Sequence, residues 1–537
     1  MSIRGVIFLL YQVAVIATIV HVLMDNRQQA KTVAWALVIY FVPVVGIIGY
    51  IFFGVNTRRE RMVSRRSMDQ LTKRSMLQFV EQKDLMLPEA HKPVIDLFVN
   101  EGFSLPFSGN RVDIITSGYD FFPSLLRDIA QAKSHIHIDV YIFEADALGR
   151  LIADALIAKS RQGVEVRIVY DDVGCWQVKD SFFEQMRREG IEVEPFMPVR
   201  FPSFARRANY RNHRKIFVID GRVGYIGGMN IAERYVKGVR SEELGVRSEE
   251  LGVRSEELGV RSEELGVRSE ELGVRSEELG VRSEELGVRS RWRDTMLRVE
   301  GRGVYSLQRA FLIDWYFVDR TLLSDRKYYP PSTLLPPPST LHPSPSTLQP
   351  SPSHAPIVQT VTSGPSSPYP EIMQGYVRII MAARSYIYLE TPYFLPTSAV
   401  LYALKAAAQA GVDVRLLVPA RSDTRIIDWA SRSYLREAVE AGVKVGMYTG
   451  GFLHSKLMVC DDTIATCGST NIDFRSFENN FESNMFIYDD DFACRMKQVY
   501  LEDESQSVPL SEQTQRMNPS FMARLTESVA RLFSPLL

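Results

Sequence analysis

Hydrophobic and polar positions divide the chain into stretches of different period. Two long apolar runs open it, "GVIFLLYQVAVIATIVHVLM" (5–24) and "VAWALVIYFVPVVGIIGYIFFG" (33–54). Each is about as long as the ~20 residues that span a bilayer. Pro43 and Gly46 are tolerable in a membrane helix. Further on, short apolar runs alternate with amphipathic segments, and the order occurs twice. "TSGYDFFPSLLRDIAQAKSHIHIDVYIFE" (116–144) aligns with "TSGPSSPYPEIMQGYVRIIMAARSYIYLETPYF" (362–394), "AKSRQGVEVRIVYDD" (158–172) with "AAAQAGVDVRLLVPA" (406–420), and "REGIEVEPF" (188–196) with "EAGVKVGMY" (440–448). Each half reads helix, strand, helix, strand, helix, strand, and then one further apolar strand. This pattern predicts an α/β fold of two pseudo-symmetric halves, each with a mostly parallel sheet covered on both faces.

Two stretches break the pattern. From Gly238 the unit "GVRSEEL" recurs unchanged through Leu286 and ends in "GVRS". Val and Leu stand alternately five and two apart, so no coiled-coil stripe forms, and a glycine in every repeat costs a helix about 1 kcal/mol. The insert (238–290) reads as a low-complexity surface loop. The second stretch, "YYPPSTLLPPPSTLHPSPSTLQPSPSHAP" (328–356), is Pro/Ser-rich and reads as an extended linker. The expected organisation is a transmembrane hairpin (1–56), a juxtamembrane linker (57–108), a first half (109–327), the Pro/Ser linker (328–356), a second half (357–500) and a C-terminal tail (501–537). In that tail Phe521, Leu525, Val529, Leu532 and Phe533 share one helical face; core packing is the role expected of them, with contact at a membrane surface the alternative.

Charge and cysteine content narrow the class. A net charge of −1 over 537 residues offers no general attraction to nucleic acid or anionic lipid. Cys175, Cys460, Cys467 and Cys494 lack C-x-x-C spacing and read as reduced core residues, not metal ligands or disulfides. Arg58, Arg59, Arg61, Arg65 and Arg66 follow the second apolar run. The positive-inside rule then places the main domain in the cytoplasm, with the arginines at anionic headgroups.

The chemistry lies at the final strand of each half. "NHRKIFVIDGRVGYIGGMN" (212–230) carries His213, Lys215, Asp220 and Asn230; "FLHSKLMVCDDTIATCGSTN" (452–471) carries His454, Lys456, Asp461 and Asn471. The His-to-Asn distance is seventeen residues in both. Alternation along a strand points each His and its Lys to one face. Two lysines and two imidazoles around one point make an anion site, with no acidic cluster to hold a divalent metal. A phosphodiester fits. The lysines neutralise the non-bridging oxygens, one neutral imidazole attacks phosphorus, and the other protonates the leaving oxygen. A carboxylate on each ring would set the tautomer.

At these residues the sequence resembles the phospholipase D superfamily, whose signature is H-x-K-x4-D. It is similar more specifically to the bacterial cardiolipin synthases, through "KTVAWALVIYFVPVVGIIGYIFFGVN", "WRDTMLRVEG", "ETPYFLP", "STNIDFRSFENNFE" and the terminal "SPLL". The resemblance implies that His213 and His454 are the catalytic pair, with His213 as nucleophile. Lys215, Lys456, Asn230 and Asn471 would hold the phosphate. Glu482 falls where the family places the acid that orients the second histidine, and Asp294 is the matching candidate for the first. Asp220 and Asp461 complete the catalytic signature, although at the end of a buried strand they read as structural. The implied reaction is reversible phosphatidyl transfer between two phosphatidylglycerol molecules at the bacterial inner membrane, giving cardiolipin and glycerol with neither metal nor cofactor. A phospholipase D-type hydrolase, or a transphosphatidylase using another alcohol, is the alternative. A nuclease of the superfamily is disfavoured by the two apolar runs and by the lack of a basic, aromatic-studded groove.

Overall fold

A computed structural model describes residues 3–24, 29–50, 65–82, 85–199, 210–240, 289–330, 355–365, 367 and 369–534. Each half is built on one sheet. The first sheet orders its strands Asn110–Ile115, Met296–Gly301, Val223–Gly227, Lys215–Ile219, His135–Val140, Glu165–Asp171 and Glu192–Phe196. The second runs Pro106–Phe107, Ile357–Ser363, Glu482–Tyr488, Ile464–Gly468, Leu457–Cys460, Tyr386–Glu390, Asp413–Pro419, Lys444–Tyr448 and Ser507–Pro509.

The sheets are mixed, which corrects the expectation of mostly parallel ones. Parallel pairing is confined to three strands in each, 135–140 with 165–171 with 192–196 and 386–390 with 413–419 with 444–448. Helices cross between these, as the alternating pattern requires. The His-Lys strand instead runs antiparallel to its neighbours. The reversal is local. Asp220 and Gly221 have φ of 54° and 62°, and Asp461 and Asp462 have 51° and 55°. Two successive left-handed residues form the tight hairpin turn whose twist suits antiparallel strands. Each turn is closed by a backbone bond, Arg222 N to Ile219 O and Thr463 N to Cys460 O.

The two sheets face one another across a shared core. Ile216, Val218, Ile226, Leu297 and Val299 of the first pack in one cluster with Leu457, Val459, Cys467, Met485 and Ile487 of the second. The alternate residues Phe217 and Ile219 point to the opposite face, where helices cover them. Burial on both sides explains the continuous apolar runs. The stretch read as a juxtamembrane linker contributes the helix Lys92–Gly102, whose Val94, Ile95 and Phe98 enter the core of the second half.

The flanking segments differ more from expectation. The amino-terminal runs fold as helices Ile3–Met24, Gln29–Phe41 and Pro43–Gly49. Pro43, at the first position of its helix, divides the second run. Among the described residues no helix is long and apolar enough to cross a membrane. The C-terminal helix Phe521–Leu532 turns its apolar stripe outward: Phe521, Leu525, Val529, Leu532 and Phe533 are exposed, while Glu527 and Ala530 are buried. Ion pairs of Glu527 with Arg436 and of Arg531 with Glu437 hold it, so the expected core role is corrected. Of the cysteines, 175, 460 and 467 are buried and free, but Cys494 is exposed. Residues 241–288 of the insert and 331–354 of the Pro/Ser stretch lie outside the described residues. The insert's two ends meet in an antiparallel pair, Val239 with Ser290 and Arg240 with Arg289.

Candidate active site

Short parallel contacts between the halves set the site. Asn212 bridges to Phe481, with His213 N donating to Phe481 O at 2.9 Å. Its counterpart pairs Trp292 and Arg293 with Phe452 and Leu453, and His454 N donates to Arg293 O at 2.7 Å. Each histidine is thus bonded through its backbone to the residue preceding an acid of the other half. The acid follows. His213 Nδ1 lies 3.0 and 3.1 Å from the two carboxylate oxygens of Glu482, and His454 Nδ1 lies 2.6 Å from Asp294 Oδ2.

This corrects the expected pairing, which gave Asp294 to His213 and Glu482 to His454. The partners are exchanged because the residues just before each histidine pair in parallel, across the interface, with those just before the other half's acid. A carboxylate on Nδ1 fixes that nitrogen as the N–H donor and leaves Nε2 for chemistry. Ser469 Oγ also donates to Glu482. Burial by itself would raise both acids. The His213 imidazole and Lys215 beside Glu482, and the His454 imidazole and Lys456 beside Asp294, hold each below its ordinary value.

Both lysines are buried. Lys215 Nζ donates to His213 O at 2.6 Å and sits 5.3 Å from the centre of the Tyr141 ring. Lys456 Nζ lies 2.9 Å from His454 Nδ1 and also donates to His454 O. Burial pushes Lys215 down to about 7 and Lys456 down to about 8, with Glu482 and Asp294 opposing the shift. Burial likewise lowers both imidazoles, His454 to about 3 with Lys456 adding to the effect. Two neutral imidazoles therefore stand beside two ammonium groups that give up their charge easily, an arrangement that gains most from an anion placed between them.

The remaining predicted residues divide. Asn230 is committed within the fold, accepting from Ile142 N at 3.0 Å and donating to Tyr235 Oη at 2.6 Å. Asn471 is buried, and its Oδ1 has no hydrogen-bond partner among the described residues. Asp220 and Asp461 do not reach the histidines. Asp220 accepts the backbone N–H groups of Lys133, Ser134 and His135 at 2.7–3.0 Å, and Asp461 those of Arg384, Ser385 and Tyr386 at 2.7–2.8 Å. They tie the hairpin turn to the start of the neighbouring strand. Their place in the signature is structural.

The motif reading missed the rings that frame the histidines. Trp292 and Phe452 flank His454 at 5.0 and 6.0 Å between centroids, and Tyr235 stands at 6.4 Å. Tyr141 stands edge-on to His213 at 5.1 Å. Trp292 lies two residues before Asp294 in the quoted "WRDT", a signal that was available. Buried arginine–acid groups lie behind each histidine. Arg214 pairs with Asp314 near Asp139, and Arg293 pairs with Asp503 near Glu390.

Two imidazoles, each oriented by a carboxylate from the opposite half and flanked by a lysine, define a phosphodiester-transfer centre of the phospholipase D type. Comparison with known proteins narrows the class. The family described as "Cardiolipin synthase, PLD-like domain" matches residues 125–253 and 376–503, and "Phospholipase_D-nuclease N-terminal" matches 13–54. The chain is 32% identical to the major cardiolipin synthase of Bacillus subtilis (strain 168) over 100% of both chains. It is 34% identical to the cardiolipin synthase of Geobacillus kaustophilus (strain HTA426) over 99% of this chain and 94% of that one. Among solved structures, the phosphatidylserine synthase of Haemophilus influenzae Rd KW20 shares the fold, with a TM-score of 0.56, 13% identity and coverage of 83% of this chain and 99% of that one. The chain belongs to the cardiolipin synthase family of phospholipase D-like phosphatidyltransferases.

Proposed function

We propose that this chain makes cardiolipin from two phosphatidylglycerol molecules, through a phosphatidyl group held on His213. The observation that carries the reading is the exchanged pairing of His213 with Glu482 and His454 with Asp294, which aims two Nε2 atoms into one site beside two lysines. Nε2 of neutral His213 attacks phosphorus. The P–O bond to the first glycerol breaks, and His454, protonated in the bound complex, donates its proton to the departing oxygen. The glycerol hydroxyl of a second phosphatidylglycerol then gives its proton to His454 and attacks phosphorus, and the P–N bond breaks. The cycle is reversible, because each step is the other run backwards with a different alcohol.

The burial that lowers the His454 imidazole suits an acid that is charged only when an anionic substrate is beside it. An anionic phosphodiester favours the imidazolium and keeps Lys215 and Lys456 protonated. The lysines then supply the charge stabilisation that a metal supplies elsewhere. Asn471, with its uncommitted amide oxygen, is free to accept a glycerol hydroxyl of the substrate, and Asn230 positions Tyr235.

A lipid substrate places the site at a membrane. The apolar runs 5–24 and 33–54, the match of the phospholipase D N-terminal family over 13–54 and the arginines at 58–66 support a membrane-embedded helical hairpin with the catalytic halves on the cytoplasmic side. The test is chemical. Lipid extracts of a host lacking cardiolipin are compared with and without this gene. A new lipid with four acyl chains supports the reading, and phosphatidic acid alone would move the assignment to a hydrolase.

A further inference from the structure

Exposed tyrosine and tryptophan side chains gather at one end of the catalytic halves. Outside the amino-terminal helices, the exposed members of these two types among the described residues are Tyr119, Trp176, Tyr369, Tyr402 and Trp429, at 40% to 71% relative exposure. Each follows a strand whose end lies within a few residues, along the pairing, of a site residue. Tyr119 lies just beyond Ile115, which pairs with Met296, two residues from Asp294. Trp176 is in the turn after Asp171, whose carboxylate accepts from Asn212 N beside His213. Tyr369 comes after Ser363, which pairs directly with Glu482. Tyr402 is in the helix that follows Leu395, the partner of Asp473, two residues beyond Asn471. Trp429 is one turn into the helix after Pro419, on the strand whose Leu417 pairs with Glu390, itself opposite Leu457 next to Lys456.

The geometry points to these five rings as the surface by which the catalytic end enters the headgroup layer of a lipid bilayer. This inference rests on the lipid-transfer reading above. A ring with an apolar body and a polar tip is at its lowest free energy at a membrane–water boundary. Both halves contribute, Tyr119 and Trp176 from one and Tyr369, Tyr402 and Trp429 from the other. A net charge of −1 supplies no overall attraction to anionic lipid, leaving orientation to local contacts. An anchor elsewhere in the chain would tether the domain without aiming its mouth.

The test uses the full chain in vesicles of phosphatidylglycerol carrying bromine on the acyl chains near the glycerol backbone. Bromine quenches nearby indoles, and the chain has five tryptophans. Trp176→Phe and Trp429→Phe should each remove part of the quenched emission. Quenching unchanged in both variants would overturn the surface. The Trp176→Ala/Trp429→Ala double variant should raise the apparent KM for bilayer phosphatidylglycerol several-fold, with turnover of a short-chain, monomeric phosphatidylglycerol unchanged. Equal losses on both substrates would reduce the rings to a structural role and also overturn it. Quenched emission that Trp176→Phe and Trp429→Phe each reduce, in a chain inactive on every phosphatidylglycerol, would sink the transfer reading while leaving the surface standing.

Discussion

Asp294 Oδ2 lies 2.6 Å from His454 Nδ1 although the two residues are 160 positions apart and belong to different halves of the duplicated fold. Glu482 and His213 repeat the relationship across 269 positions in the opposite sense. Each catalytic histidine takes its orienting acid from the other half. A single half, expressed alone, lacks the carboxylate that orients its histidine, and the pairing of the halves is therefore a condition for chemistry as well as for burial of the shared core.

The crossing makes a pairwise prediction. Asp294→Asn should impair the His454 role and Glu482→Gln the His213 role, each lowering kcat by about 10²–10⁴ by analogy with the loss of a carboxylate that fixes an imidazole tautomer. His213→Ala and His454→Ala should each remove turnover, with non-additive losses in combination. Denatured-quench analysis with labelled lipid separates the roles. His454→Ala and Asp294→Asn should still form a phosphatidyl-enzyme from an activated donor, whereas Glu482→Gln should not. Label on His454 in the His213→Ala protein would reverse the nucleophile assignment, and normal labelling in Glu482→Gln would undo the exchanged pairing.

pH dependence follows from the buried lysines. In the free enzyme Lys215 is pushed down to about 7 and Lys456 down to about 8. A depressed lysine is charged below its shifted value and neutral above it, so anion binding is lost as pH rises. The value of kcat/KM, which reports free-enzyme groups, should fall through pH 7 to 8. The fall in kcat should come at higher pH, because the bound phosphate anion stabilises both ammonium groups. The acid limb should lie below 6.5, since burial lowers both imidazoles. A kcat/KM that stays level up to pH 9 would contradict the environment described for the lysines.

Asp220 and Asp461 should matter for folding and not for chemistry. Each carboxylate accepts three backbone N–H groups from a turn that the following hairpin depends on. Replacement by Ala removes hydrogen bonds that are exposed or part-buried, each worth about 0.5–1.5 kcal/mol net. Melting should shift down by several degrees, while kcat of the folded fraction stays within a few-fold of wild type. A kcat loss as large as that of His213→Ala in a protein of normal melting temperature would return these residues to the catalytic set.

How much of this was legible in the sequence depends on the range of the interaction. The His-Lys strands, the seventeen-residue spacing to Asn230 and Asn471, and the two halves were visible because period-two alternation and internal duplication are local signals. Asp294 and Glu482 were legible as candidates, but their partners were not, since nothing local says which sheet end will face which. The antiparallel return was legible in Asp220–Gly221, a standard hairpin dipeptide, yet it was masked by a continuous apolar run that also suits a parallel strand. The C-terminal stripe shows the same limit. Periodicity identified the apolar face of Phe521–Leu532, and ion pairs of its polar face with the helix Arg425–Glu440 decided which side points inward.

The heptapeptide insert yields the last prediction. It separates His213 from Asp294 in sequence, but Asp294 serves His454, so the insert does not lie between a histidine and its acid. Its ends are already together: Val239 pairs with Ser290, and Arg240 with Arg289. The structure on either side is packed, with Tyr235 buried beside Trp292 at 4.9 Å between ring centroids. Closing a long loop between fixed ends costs only about 0.6 kcal/mol per doubling of its length, which makes the expansion inexpensive and its removal equally mild. Deleting Gly238–Leu286 leaves "GVRS" to join Lys237 to Arg291. Four residues reach across roughly 13 Å when extended, ample for two chain ends that are neighbours in a ribbon. The shortened protein should express, enter the membrane fraction and make cardiolipin at a rate within a few-fold of the full chain. Limited proteolysis of the full chain should cut first at the insert's arginines and leave the two His-Lys strands intact. Loss of activity in the deletion, with expression and membrane recovery unchanged, would show that the repeats hold Trp292 and Asp294 in place from outside and are not a neutral loop.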